Sequence, residues 1–242
     1  MLARTILRRT TRSIAPRNAR YFSPSVTIMS PEKQQEPRVI ESIDVPGDGM
    51  KWVKLRKINW EDQTGRKRVW EAADRSTRKG EIDAVAIVAL IAHPKKPLST
   101  VIIEQYRPPI EKYIIELPAG LVDEGESAET AALRELYEET GYGGGDKGGG
   151  KATVRTVTPI LVSDPGLTSA NMKLVIVDVQ LTEDDPEPEA KLDEGEFIVK
   201  RIVEIKDLWK TLEDYSEKGF VLDARLSHIA MGLHLAGQLD KE

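Results

Sequence analysis

The stretch Gly120–Tyr142, GLVDEGESAETAALRELYEETGY, decides how this chain is read. Ser127 has the short hydroxyl of a helix N-cap, Glu129 stands in the first turn, where the helix dipole favours an anion, and Gly141 is a natural residue just past a helix end. The alanines and leucines between Ser127 and Gly141 propagate a helix. Glu135 is separated from Glu138 by three residues and from Glu139 by four, so three carboxylates share one helical face, with Glu126 just before the cap. Like charges so spaced repel one another, and Arg134 alone cannot neutralise them. A hard divalent cation can. The set offers oxygen ligands and neither imidazole nor thiolate, so Mg²⁺ or Mn²⁺ is the expected ion. Mg²⁺ keeps several waters and uses few carboxylates together with substrate phosphates, which makes a phosphate ester or anhydride the expected substrate class. The competing reading is a solvated acidic helix that binds nothing.

Two compositionally odd segments follow this helix. Gly143–Gly150, GGGDKGGG, holds six of the 18 glycines but lacks the Gly-Lys-Ser/Thr ending of a phosphate loop, so residues 143–150 read as a flexible hairpin insertion. Glu183–Glu196, EDDPEPEAKLDEGE, carries eight acids against one lysine and reads as a solvated mobile loop, although such a loop can deliver one carboxylate to a site. Further out, β-type runs occur at Trp52–Ile58, Arg68–Ala73, Ala84–Ala92, Thr100–Tyr106, Tyr113–Leu117, Thr153–Leu161, Leu174–Val179 and Phe197–Ile205. Helical patterns close the chain at about Asp207–Glu217 and Asp223–Leu239, the second with Leu226, Ile229, Ala230, Leu233 and Leu235 as its apolar positions. Many strands and few helices predict an α+β fold, a mixed sheet covered by helices in an α/β/α sandwich.

The 242 residues contain 35 basic and 40 acidic side chains and no cysteine, which excludes zinc ribbons, thiol nucleophiles and disulfide staples. The longest apolar run, around Ala84–Ala92, is too short to cross a bilayer, so no membrane partner is expected. Arg4, Arg8, Arg9, Arg12, Arg17 and Arg20 fall in a stretch, Met1–Pro31, that holds no acid. Removing those six from 35 leaves 29 bases against 40 acids, a net charge of −11 that disfavours nucleic acid as a partner. Leu2, Ala3, Ile6, Leu7 and Ile14 gather on one helical face with Arg4, Arg8 and Arg12 opposite. That is the composition of a mitochondrial transit peptide, and residues 1–28 are so read, with a cut near Arg20-Tyr21-Phe22-Ser23 and a matrix destination. Met29 could start a leaderless cytosolic or nuclear form. Residues 29–50, rich in Pro, Glu and Gln, read as a linker, with structure expected from Lys51 onward.

The carboxylate-bearing stretch resembles the Nudix box: glycine, five residues, glutamate, seven residues, Arg-Glu, an aliphatic, any residue, Glu-Glu, any residue, glycine, and an aliphatic. The positions here are Gly120, Glu126, Arg134, Glu135, Leu136, Glu138, Glu139 and Gly141, with Tyr142 in a slot where an aliphatic is commoner. Seven identities at about 6% usage each make a chance match anywhere in the chain about one in a million. Beyond the box, the sequence is similar to the ADP-ribose (ADP-sugar) pyrophosphatases of that family. Lys51-Trp52-Val53-Lys54-Leu55, Val69-Trp70-Glu71, Gln105-Tyr106-Arg107-Pro108-Pro109, Glu116-Leu117-Pro118-Ala119-Gly120, Asp164-Pro165-Gly166-Leu167 and Gly195-Glu196-Phe197 carry the likeness. Pro165 lies 23 residues after Tyr142, where the family's proline follows by about fifteen. The glycine insertion accounts for the excess.

The resemblance implies a Nudix-type α/β/α sandwich over residues 83–240, preceded by strands over 51–82 that serve dimerisation and adenine binding. It implies that Glu135 and Glu139 bind metal with the Ala119 carbonyl and Glu196, with Glu138 beside them, and that Arg134 braces the loop-helix-loop by pairing with Glu126 or Glu138. Arg107 would hold a phosphate bidentately. Trp52 and Trp70 would sandwich the adenine, one from each subunit of a homodimer, with Glu71 at its edge, Arg75 near the diphosphate or ribose, and Leu121 and Asp164 as further substrate contacts. Glu196 matches the family's catalytic glutamate on a loop after the box, with Glu194 as its rival, and Arg134 and Glu138 complete the catalytic set.

The implied reaction is Mg²⁺-dependent hydrolysis of the ADP-ribose diphosphate to AMP and ribose 5-phosphate, with a carboxylate taking the proton of the attacking water. Two alternatives are a Nudix diphosphatase for NADH or dinucleoside polyphosphates, and a domain that senses a nucleotide without cleaving it. Sensing domains typically lose box carboxylates, and here every one is present.

Overall fold

The computed structural model describes residues 38–45, 49–145 and 148–239; the leader and the start of the expected linker lie outside the described residues. The first three strands, β1 (Arg38–Val45), β2 (Val53–Glu61) and β3 (Lys67–Arg75), form an antiparallel sheet of their own. A second, mixed sheet takes β4 (Ala84–His93), β5 (Lys96–Arg107), β6 (Lys112–Glu116), β7 (Ala119–Leu121), β8 (Lys151–Val157), β9 (Leu161–Val162), β10 (Asn171–Gln180), β11 (Val199–Glu204) and β12 (Val221–Leu222). Three helices cover it: α1 (Ala128–Thr140), α2 (Leu208–Glu217) and α3 (Ala224–Leu239).

The layering follows from β4, AVAIVALIAH. Its run is apolar without interruption because both of its faces are covered. Val85, Ile87, Ala89 and Ile91 join Val175, Val177 and Val179 of β10 against Ala128, Ala131, Ala132 and Leu136 of α1. On the opposite face Ala86 joins Ile102, Ile115 and Leu117 against Leu208 and Leu212 of α2 and Leu226 and Ala230 of α3. This is the expected α/β/α sandwich. The small residues on the buried side of α1 let the helix lie close to the sheet, which matters because the same helix carries the carboxylates.

The site is positioned by a split in the sheet. β4 and β5 pair only near their hairpin, at Ile91↔Ser99 and His93↔Lys96, and then diverge. The next segment fills the gap: β6 runs along β5 from Ile103↔Glu116 to Arg107↔Lys112, and β7 turns onto β4 through Ala84↔Leu121 and Ala86↔Ala119. Pro118 bridges the two, its carbonyl accepting the Ile87 N–H at 2.8 Å. The mouth of this split faces the C-terminal half of α1.

The N-terminal sheet is latched to the body by polar contacts. The Ala73 N–H donates to the Leu167 carbonyl at 2.9 Å and Trp70 Nε1 donates to the Gly166 carbonyl at 2.9 Å. Arg78 forks onto the buried Asp83 at 2.8 and 2.5 Å and also reaches the Ser169 carbonyl, while Asp83 accepts the Asn171 N–H at 2.9 Å. Burial alone would raise the Asp83 pKa, but the bonds from Arg78 and Asn171 hold it below the ordinary carboxylate value.

Several sequence expectations are corrected. Residues 29–50 are not a linker throughout, because β1 pairs with β2 from Arg38↔Glu61 to Val45↔Leu55 and structure begins before Lys51. The short alternation in RVIESIDV is diluted by the Pro, Glu and Gln around it, and its partner strand supplies the order. The run Thr153–Leu161 divides into β8 and β9, with Pro159, which has no N–H for a ladder, between them. β7 and β12, three and two residues long, are too short for periodicity to show. Phe197 falls outside β11 and is 83% exposed. In α3 only Leu226 and Ala230 are buried; Leu233 and Leu235 stay exposed. Asp223 caps that helix by accepting the Arg225 and Leu226 N–H groups at 2.9 and 3.2 Å.

Candidate active site

Helix α1 starts and stops as its sequence requires. Ser127 Oγ accepts the Thr130 N–H at 3.1 Å, and Gly141 sits at φ 78° with its N–H on the Tyr137 carbonyl. These ends fix which turn faces the sheet, and the carboxylates project from the turn nearest the split. One cavity of about 350 Å³ there is lined by Glu135, Glu138, Glu139 and Arg134 from α1, Ala119, Gly120 and Leu121 from β7, Arg107 from β5, Arg75 from β3, and Glu196. Residues spread over more than 120 positions thus meet at one place, and the expected metal ligands, phosphate-binding arginines and catalytic glutamate all share it.

Arg134 organises the carboxylates. Its Nε and Nη2 fork onto Glu126 at 3.0 Å each, Nη1 reaches Glu135 at 2.8 Å and Glu138 at 3.0 Å, and Nη2 also reaches the Leu121 carbonyl at 3.0 Å. Both expected partners, Glu126 and Glu138, are engaged at once. The hydrogen bonds from Arg134 hold the Glu126 pKa below its ordinary value. Glu139 is different. It is 4% exposed, its Oε2 accepts the Ala119 N–H at 2.9 Å, and its pKa is pushed up to about 8, first by burial and then by the charges of Glu135 and Glu196. Glu135 is shifted upward for the same leading reason, burial, against the pull of Arg134.

This donor set fits a hard cation. It consists of oxygen atoms whose mutual repulsion already favours protonation, and a divalent ion would relieve that repulsion. Among the described residues no three His, Cys, Asp or Glu side chains are close enough to cage an ion unaided. A hard ion such as Mg²⁺ takes few carboxylates and completes its shell with waters and substrate oxygens.

Arg107 enters the cavity in a constrained pose. Its Nε and Nη2 are held by the buried Glu116 at 2.7 and 3.1 Å. The expected bidentate phosphate contact cannot use that edge of the guanidinium; the remaining N–H groups must serve. Glu196 lines the cavity, its Oε2 accepting the Asp193 N–H at 3.1 Å, whereas Glu194 is not among the lining residues.

The remaining expected residues lie elsewhere. Trp70 pairs edge-on with Trp60 at 6.3 Å, Glu71 faces Lys57, and a second cavity of about 270 Å³ lies between Glu71, Leu55 and Leu167. Asp164 is outside the main cavity; its carbonyl closes the 164–168 turn by accepting the Leu167 and Thr168 N–H groups. Trp52 stands at the other end of the β2–β3 ribbon, where its carbonyl accepts the Ser76 N–H. Trp70 is opposite Ile58, six residues from Trp52, a separation of about 20 Å along a strand. Trp52 and Trp70 of one chain therefore cannot stack on the same base.

Three lining residues went unassigned in the sequence. Gln105 is two residues before Arg107 on β5 and so shares its face, a signal that strand alternation offered; its Oε1 is buried with no hydrogen-bond partner among the described residues. Asp193 is one acid among eight in its run, and nothing local singles it out. Ala84, the first residue of β4, also lines the cavity.

Two predictions follow from this geometry. A Cβ at position 120 would overlap the Glu135 carboxylate, although the backbone there is open to any residue. Gly120→Ala should keep the fold by circular dichroism while lowering turnover about 10- to 100-fold, the scale of a displaced reactive group; wild-type turnover would show that the Glu135 position is not needed. The second concerns pH. A carboxyl whose pKa rises from 4.5 unfolded to about 8 folded stabilises the protein fully below 4.5, and this contribution is lost as pH climbs through 8. In EDTA the Tm should fall by roughly 5–10 °C between pH 5 and 8, and Glu139→Gln should flatten that fall. Parallel wild-type and variant curves would contradict it.

Comparison with known proteins agrees with the geometry. The NUDIX domain family model matches residues 82–225. An ADP-ribose pyrophosphatase of Saccharomyces cerevisiae is 35% identical over 95% of this chain and 97% of its own length, and an ADP-sugar pyrophosphatase of Mus musculus is 35% identical over 85% of this chain and 91% of its own. The crystal structure of an ADP compounds hydrolase, 24% identical, superposes with a TM-score of 0.56 over 86% of this chain and 98% of that one. With the fixed box residues in place and the NUDIX domain model matching more than half of the chain, the chain belongs to the Nudix hydrolase family.

Proposed function

We propose that this hydrolase cleaves the diphosphate of ADP-ribose and related ADP-sugars in a Mg²⁺-dependent reaction, giving AMP and ribose 5-phosphate from ADP-ribose. The observation that carries the reading is the convergence of Glu135, Glu138, Glu139, Glu196, Arg107 and Arg75 on one cavity. The names of the yeast and mouse relatives support the ADP moiety.

Glu135, Glu139, Glu196 and the Ala119 carbonyl would hold the ion. When bound it would neutralise diphosphate oxygens and lower the pKa of a bound water. The side chains of this chain do the rest. Arg107, oriented by Glu116, offers its remaining N–H groups to one phosphate, and Arg75 meets the diphosphate or ribose from the ribbon side. Arg134 keeps Glu135 and Glu138 from turning away. Glu196, on the cavity rim, accepts the proton of the attacking water as the new P–O bond forms and the anhydride P–O bond breaks, its electron pair leaving with the phosphate product. Adenine would be stacked by Trp52 of one subunit and Trp70 of a second, since one chain cannot bring both to one ring, with Glu71 at its edge. The proposal therefore includes a homodimer joined through the N-terminal ribbons.

Phosphate release from ADP-ribose, ADP-glucose, NADH and diadenosine polyphosphates, with a phosphatase added to reveal monoester products, tests the substrate. ADP-ribose or another ADP-sugar should lead; a dominant dinucleoside polyphosphate would overturn the assignment. Within the same assay Glu196→Gln should lower kcat about 100-fold or more with little change in KM, while Glu194→Gln stays near wild type.

We also propose that residues 1–28 direct the protein to the mitochondrial matrix, on the strength of six arginines and no acid in that stretch. A fluorescent fusion of residues 1–28 should enter mitochondria, and a form starting at Met29 should stay cytosolic. Identical distributions would refute the targeting role.

A further inference from the structure

The C-terminal end of α1 poses an electrostatic problem that the box does not solve. A helix end leaves carbonyls without intrahelical donors and carries the negative end of the dipole, yet the last turn of α1 contains no basic residue. The acidic segment 183–196 is folded against this same end. Its Lys191 N–H donates to the Glu138 carbonyl at 2.6 Å, and Gly141 lies so close to the Glu189 carbonyl that a Cβ there would collide with it. Eight carboxylates on the segment and a helix C-terminus would repel each other without a counter-charge.

Lys200 supplies it. From the second position of β11, held in register with Ile103 of β5, its half-buried ammonium donates to the Thr140 carbonyl at 2.9 Å and to the Pro188 carbonyl on the segment. The same ammonium stands 5.4 Å from the ring centre of Tyr142, the residue that departs from the aliphatic usual at the end of the box. An aromatic face attracts a cation where an aliphatic side chain cannot. Lys200 is thus bonded on one side to the helix bearing the carboxylates and on the other to the segment bearing Glu196, four residues before it in sequence.

We propose that Lys200 is a positioning residue for the hydrolysis, tying the end of α1 to the 183–196 segment so that Glu196 is held over the box carboxylates. The proposal rests on the reading of Glu196 as the proton acceptor. Lys200 is outside the cavity and touches no substrate; it acts through the segment.

The test is a double-mutant cycle on the full chain with ADP-ribose at saturating Mg²⁺, using Lys200→Met, Glu196→Gln and the pair. Lys200→Met should lower kcat about 10- to 100-fold, with KM changed less than about threefold, and should cost nothing further once Glu196 is already Gln. Lys200→Arg, which can still donate to two carbonyls, should recover much of the loss. Hydrogen exchange gives a readout independent of activity: the Lys191 amide should lose protection in Lys200→Met while the β4 amides keep theirs. If Lys200→Met fails to fold, Lys200→Gln replaces it in the cycle. Wild-type kcat in the Lys200 variant beside a crippled Glu196→Gln would overturn the positioning role and leave the proposed function standing. A further, additive loss in the double variant would overturn it as well, since Lys200 would then act through another group. A silent Glu196→Gln would remove both the assigned base and this role.

Discussion

Everything at the site depends on keeping the three carboxylates of one helix face, and Glu126 just before the helix, together despite their mutual repulsion. One guanidinium does most of this. Arg134 touches Glu126 before the helix, Glu135 and Glu138 on it, and the Leu121 carbonyl of β7. It therefore joins the strand, the loop and the helix through a single planar group, which lysine could not do because an ammonium has no fork. Glu139, beyond the reach of these bonds and almost fully buried, is compensated in part by the Ala119 N–H and by the charge of Arg107. Burial, then the charges of Glu135 and Glu196, outweigh that help and push its pKa up, and an added cation would offset the same imbalance.

The split sheet gives those charges a place to act. Where β4 and β5 separate, β6 and β7 enter as one segment, and the crossing brings Glu116 beneath Arg107 and Gly120 beneath Glu135. The two pairings differ in kind. Glu116 orients a cation by hydrogen bonds, whereas Gly120 makes room for an anion by lacking a side chain. Both bear on one problem: the cavity holds Arg107 and the box carboxylates together, and attraction would draw the guanidinium onto them. Glu116, 4% exposed at its side chain, is the internal counter-ion that prevents it.

The N-terminal ribbon and the acidic segment extend the site in different ways. The ribbon is fastened by Arg78, Asp83, Ser169 and Asn171, so Arg75 is delivered to the cavity by a rigid strand. The acidic segment read as a solvated loop, yet its 188–191 portion is seated on the end of α1. A charge run looks solvated when each charge is counted alone; here a lysine from a neighbouring strand and the free carbonyls of a helix supply partners that no local window contains.

What the sequence determined by itself was whatever depends on short-range spacing. The caps of α1, the shared face of Glu135, Glu138 and Glu139, the continuous apolar run of β4 and the mixed α/β/α layering are all written in neighbours a few residues apart, because helix and strand periods convert spacing directly into faces. Only the tertiary structure decided which distant residues meet. That Arg107 is half-occupied by Glu116, that Gln105 and Asp193 join the cavity, that Trp70 contacts Trp60 and lies about 20 Å along the ribbon from Trp52, and that β1 completes a sheet inside an apparent linker all depend on strand register and on the split between β4 and β5. Register is set by pairing between segments tens of residues apart, and the packing of whole layers, not any local preference, chooses it.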